Sequence, residues 1–179
     1  MLLQQSAPSW LRPTLVLPFA VFWSTIDRAI VLPMVPTIAT EFHSATALTG
    51  WAITGNALAY AVLQLLWGPL QMRLGRVNVL WISAAIGTVA AVVSALAPSL
   101  PLFIAARIVS GGAWAATFSA VLVYLGETLA AARRPSAMSN LATATALALG
   151  IGTLGAGAFA EWASWRSVFV VYAVGGAML

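Results

Sequence analysis

Six long apolar runs, divided by short polar gaps, constrain this chain more than any other feature. They fall at roughly 14–38, 47–70, 78–97, 102–124, 137–160 and from 167 onward. A helix needs about 20 mainly apolar residues to cross the hydrocarbon of a bilayer, and the first five runs reach that length. The sixth has only about 13 residues before Leu179, too few for a crossing, so the chain is expected to stop within a helix. Hydrophobic residues make up 61% of the chain and charged residues 7%. A soluble domain has roughly 45–50% and about 25%. So little charge cannot cover a water-facing exterior. The expected fold is an all-α membrane bundle of six helices over residues 1–179, with the lipid bilayer as its solvent.

The net charge of +4 and the pI near 10.8 would suggest nucleic acid in a soluble protein. Here the arginines fall mostly in the gaps between apolar runs, without the aromatic interleaving of a nucleic-acid surface, so no nucleic-acid partner is expected. The charge reports topology instead. With the N-terminus inside, the inner segments hold Arg12, Arg73, Arg76, Arg133 and Arg134, and the outer ones hold only Arg166. This is the positive-inside pattern, and it predicts a multi-pass protein of the plasma (inner) membrane with a cytoplasmic N-terminus. Trp10, Trp67, Trp81, Trp162 and Trp165 stand near span ends, where an amphipathic ring suits the headgroup zone. The run after Arg12 is too long for a cleavable signal core. The absence of cysteine removes disulfides and thiolate chemistry. No metal-ligand cluster, nucleophile–base set or phosphate-cradling glycine loop stands out, so neither an enzyme nor a bound cofactor is expected.

Asp27, Arg28 and Arg107 fall inside spans. An ionisable group at membrane depth costs at least about 2.5–3.5 kcal/mol on insertion scales, so it marks a functional or tightly paired position. At about 1.5 Å per residue, Asp27 lies roughly 21 Å from the start of its helix at Pro13. Arg107 lies roughly 9 Å below the outer start of its own helix, which puts both residues at one level. At one level the two would form an ion pair if their helices are neighbours, serving either proton coupling or helix attachment. Arg28 points about 100° away from Asp27 around the helix, and its role stays open. Asn56, Tyr60 and Gln64 share one face of the second helix, as a cavity-facing polar stripe or as a hydrogen-bonded seam. Trp23 and Trp114, nearer mid-span, would serve as aromatic cavity walls or as packing. The small residues of "GIGTLGAGA" suit a close helix contact.

The stretch "GPLQMRLGRVNVL" resembles the loop between helices two and three of the major facilitator superfamily, with Gly68, Leu70, Arg73, Gly75 and Arg76 at matching places. Gly68 would permit close helix contact and Gly75 a tight turn. The family's acidic residue is Met72 here and its final basic residue Val77, which puts the inter-half charge latch in question. "IDRAIVLPMVPTIATEF" resembles the first-helix signature through Asp27, Leu32 and Pro33. "RIVSGGAWAATFSA" resembles the fourth-helix signature through Arg107 and Gly111. "GIGTLGAGAFAEWASWRSVF" resembles the fifth-helix antiporter signature through Gly152, Gly157, Trp165, Arg166 and Phe169, with Thr153 in place of its proline. The four stretches occur in family order and cover nearly the whole chain.

The resemblance implies the N-terminal half of a major facilitator fold, most similar to the twelve-helix drug:proton antiporter group, built from two inverted three-helix repeats. "LGRVNVLWISAA" and "SWRSVFVVYAVG" fit such a repeat faintly. The first and fourth helices would then line the central cavity together. It further implies alternating-access transport of a small organic molecule, coupled to protons through Asp27 with Arg107 steadying the acid, and more in the outward direction. The missing C-terminal six-helix half would be a necessary partner. Uptake or metabolite exchange, and a non-transporting membrane module, are the competing readings.

Overall fold

A computed structural model describes residues 13–177; Trp10 and Arg12 lie outside them. The described chain is helical throughout, in the order α1 (Pro13–Ala29), α2 (Val31–Glu41), α3 (Thr46–Thr49), α4 (Trp51–Leu74), α5 (Arg76–Leu96), α6 (Leu100–Thr128), a 3-10 turn (Ala131–Arg133), α7 (Arg134–Trp162) and α8 (Trp165–Gly176).

The first apolar run is interrupted, not continuous: α1 and α2 meet at Ile30. Pro33 lacks the N–H that would bond to the carbonyl of Ala29, so the ladder loses a rung at that point. Residues 18–41 still form one span. Among the described residues, four segments are long and apolar enough to cross a membrane: Pro18–Glu41, Arg76–Leu96, Leu100–Thr128 and Ala131–Trp162. α4 has the length, at 24 residues, but Asn56, Gln64 and Gln71 lower its hydropathy. It runs beside the spanning α6 over its whole course. α8 has 12 residues.

The turns follow from local chemistry. Gly75 links α4 to α5 with φ of 82°, a left-handed conformation that a Cβ disfavours. Pro101 sits in the first turn of α6, where its missing N–H costs nothing. The Ser164 hydroxyl accepts from the Arg166 N–H and caps α8. Arg134 donates to the carbonyls of Gly126 and Leu129 and so closes the end of α6.

The helices pair in a two-fold pattern. α4 packs on α6, α1 on α7, and α5 on both α6 and α8, while α1 and α6 meet at the centre. Exchanging α1 with α6, α4 with α7 and α5 with α8 carries α4–α6 onto α1–α7 and keeps α5–α8 and α1–α6, while the close α5–α6 pairing answers to a slighter approach of α8 to α1 through Trp23 and Tyr172. The exchange carries specific contacts. The Trp114 ring lies over Gly87, and the Trp23 ring over Gly175. Arg76 at the start of α5 pairs with Glu127 at the end of α6. Arg166 at the start of α8 pairs with Glu41 at the end of α2, at 2.8 Å. These are the two inverted three-helix repeats.

Candidate functional site

The ion pair sits on the axis of that exchange. Asp27 on α1 and Arg107 on α6 both have side chains 0% exposed. The Arg107 guanidinium donates from Nη1 to Oδ1 at 2.9 Å and from Nη2 to Oδ2 at 2.6 Å. Nη2 also donates to the Asp27 carbonyl at 2.7 Å. The Ser110 hydroxyl donates to Oδ2 at 2.8 Å. Phe169 of α8 lies below the guanidinium, 5.4 Å from ring centre to Cζ. Both carboxylate oxygens are thus occupied, and the bidentate fork makes this the strongest class of hydrogen-bonded pair. Arg107 Nε is buried without an acceptor.

Arg28 leaves the pair and turns toward α4. Its guanidinium stands 4.3 Å from the centre of the Tyr60 ring. The polar stripe on α4 therefore divides. Asn56 is buried and donates to the Arg107 carbonyl at 2.8 Å, so it belongs to the α4–α6 seam. Tyr60 and Gln64 are half-buried, with Tyr60 beneath Arg28. Further along the same seam, Trp67 donates to the Gly112 carbonyl and Gln71 to the Ser119 hydroxyl.

Trp114 is buried and Trp23 half-buried, and both pack on one ring of α8. Trp23 stacks on Tyr172 with centroids 5.0 Å apart, and Trp114 meets the same ring edge-on at 6.4 Å. Burial in these contacts leaves both indole N–H groups unpartnered. Gly111 makes the closest approach to another helix's backbone: a Cβ there would lie 2.2 Å from the Asn56 carbonyl oxygen. At Gly152 it would lie 2.8 Å from Ala29 Cβ, and at Gly157 3.5 Å from Pro33 Cβ. The close contact expected at Gly68 is absent: it is exposed, with nothing within 4 Å among the described residues. The α4–α6 approach is made instead at Gly55 and Gly111, where helices touch backbone to side chain or backbone to backbone. Arg73 is exposed, and Gly75 makes the expected turn. Met72 leaves no acid in the loop, and Glu127 supplies one from α6 to Arg76.

Ser110 was not visible as a site residue from the sequence, although three residues from Arg107 is the spacing of a shared helix face. The Phe169 ring under Arg107 was placed in a signature but not at the pair. A groove of about 410 Å³ between α5 and α6 is lined by apolar side chains such as Val89, Leu102 and Val109 and offers nothing to a polar ligand. Among the described residues no three acids or histidines gather as metal ligands.

The Major Facilitator Superfamily profile matches residues 17–179. Protein SGE1 of Saccharomyces cerevisiae is 33% identical over 150 residues, covering 84% of this chain and 27% of the relative. Efflux pump dotC of Dothistroma septosporum is 29% identical over 157 residues, covering 88% and 27%. Vacuolar basic amino acid transporter 5 of Saccharomyces cerevisiae is 30% identical over 156 residues, covering 87% and 26%. The chain thus spans less than a third of the length of these relatives. With its helical bundle, its inverted repeats and a profile match over nearly its whole length, the chain belongs to the major facilitator superfamily of membrane transporters.

Proposed function

We propose that this chain is the N-terminal half of a proton-coupled exporter of a small organic molecule, of the twelve-helix drug:proton antiporter kind, with its N-terminus in the cytoplasm of a plasma (inner) membrane. A second six-helix half would complete the cavity, and rocking of the two halves would alternate access. Outward transport is supported by the likeness to proteins named efflux pumps.

The observation that carries the proposal is the sealed Asp27–Arg107–Ser110 arrangement at the junction of the two repeats. A buried ion pair is stable only while both charges are present. Protonating Asp27 removes one of them and leaves Arg107 with a buried, uncompensated charge. Proton binding and opening of the α1–α6 junction are therefore the same event. That is the property a coupling site needs: two states, with the proton biasing one of them.

Asp27→Asn keeps the size and accepting oxygen but abolishes titration. In proteoliposomes holding the complete polypeptide, this variant is expected to lose substrate accumulation driven by a proton gradient while keeping gradient-free exchange. Normal proton-driven accumulation by the variant would refute the coupling role.

A further inference from the structure

The intramembrane charges do not balance. Asp27 is consumed by Arg107, so one acid against two guanidiniums leaves Arg28 with no carboxylate in ion-pair range among the described residues. Counted from Pro13, where α1 begins, Arg28 lies roughly 22 Å along a helical run that ends roughly 20 Å further on at Glu41, which puts it near the middle of the membrane. A guanidinium is too costly there to face lipid. Arg28 is half-buried, not sealed, and its open side is free to face the central cavity that the transport reading requires. Its one strong contact is the Tyr60 ring, a cation–π platform that orients the planar group without neutralising it. The N–H fork is thereby held in place with donors to spare. Gln64, one turn from Tyr60 on the same face, is half-buried and adds an amide beside it.

We infer that Arg28, held over Tyr60, binds the carboxylate of an organic anion, so that the transported class is acidic molecules. This deepens the transport reading and rests on it. The excess positive charge also disfavours basic substrates, which would meet a like charge in a low dielectric.

Binding and transport separate the two ideas. The probes are 1-naphthoate and its neutral isostere 1-naphthamide, read by ligand-induced thermal stabilisation of the purified complete polypeptide. The parent protein is expected to bind naphthoate about tenfold or more tighter than naphthamide, the scale of one charge-assisted hydrogen bond. Arg28→Gln is expected to bring the two within about twofold while still binding naphthamide, which shows that the fold survives. Arg28→Lys should keep part of the preference, and Tyr60→Phe, which retains the ring, most of it. Equal binding of the two probes by the parent protein would overturn the inference. That is the result expected if an acidic side chain elsewhere in the polypeptide already neutralises Arg28. An unchanged preference in Arg28→Gln would overturn it equally. Counterflow of the same probes in proteoliposomes tests transport independently. Anion-selective binding without counterflow would sink the transport reading and leave the site. Counterflow without anion preference would do the reverse.

Discussion

At the scale of single residues, three of the chain's four acids are spent in ion pairs. Arg76–Glu127 and Arg166–Glu41 tie helix ends at opposite faces of the bundle, and Arg107–Asp27 ties the centre. The central pair is the one whose loss matters most, because neither partner can reach water. Arg107→Ala strands a buried carboxylate and is expected to destabilise the bundle by about 3–5 kcal/mol. The double variant Asp27→Leu/Arg107→Met removes both charges and should recover most of that loss, since an apolar pair of similar volume avoids the desolvation cost. Thermal unfolding in detergent of Asp27→Leu, Arg107→Met and the double variant closes the cycle. Additive losses would mean that the pair carries no coupling energy. The level match of Asp27 with Arg107 was readable from the rise of a helix. Ser110, as the third member, was not, because one serine in a small-residue run carries no sign of which helix it will face.

At the scale of elements, bilayer helices associate through close packing, since lipid is as apolar as the side chains it would replace. α4 and α6 illustrate it. Gly111 brings α6 against the backbone of Asn56, and Asn56, Trp67 and Gln71 then hydrogen-bond to carbonyls or a hydroxyl of α6. Gly111→Ala would drive a Cβ into a carbonyl that cannot move aside, and is expected to cost about 1–3 kcal/mol. Gly157→Ala meets only an ordinary contact with Pro33 and should change the unfolding temperature little. Equal sensitivity at the two positions would contradict this account of the seam. Glycines in the apolar runs pointed to close packing in general. Which of them pack could not be read, because Gly68 and Gly111 look alike until a neighbour is in place.

At the scale of the whole molecule, successive antiparallel helices put Arg73, Arg76, Arg133 and Arg134 at one end of the bundle and Glu41, Glu161 and Arg166 at the other. The arginine-rich end is expected to face the cytoplasm. The chain has no cysteine, so single thiols report cleanly. His43→Cys and Arg133→Cys both sit at exposed positions and interrupt no side-chain hydrogen bond. An impermeant maleimide applied to intact cells should label position 43 and spare position 133. The opposite pattern would invert the orientation and place the Arg76–Glu127 tie outside.

Class, helix number and the intramembrane charges came from the sequence alone, because hydrophobic length and the cost of burying charge act on each segment independently of its neighbours. Helix ends were readable to within a few residues for the same reason, since prolines and glycines act locally. Partnership was decided only by the tertiary structure. Trp23 and Trp114, equally suited to a cavity wall, turn inward onto Tyr172 and a glycine each. Asn56 and Tyr60, one turn apart on one face, part company: Asn56 enters the seam with α6, and Tyr60 lies under Arg28. A helical face spans more than one neighbour, and which neighbour a side chain meets depends on how the helices cross, a property of the assembled bundle that no single segment carries.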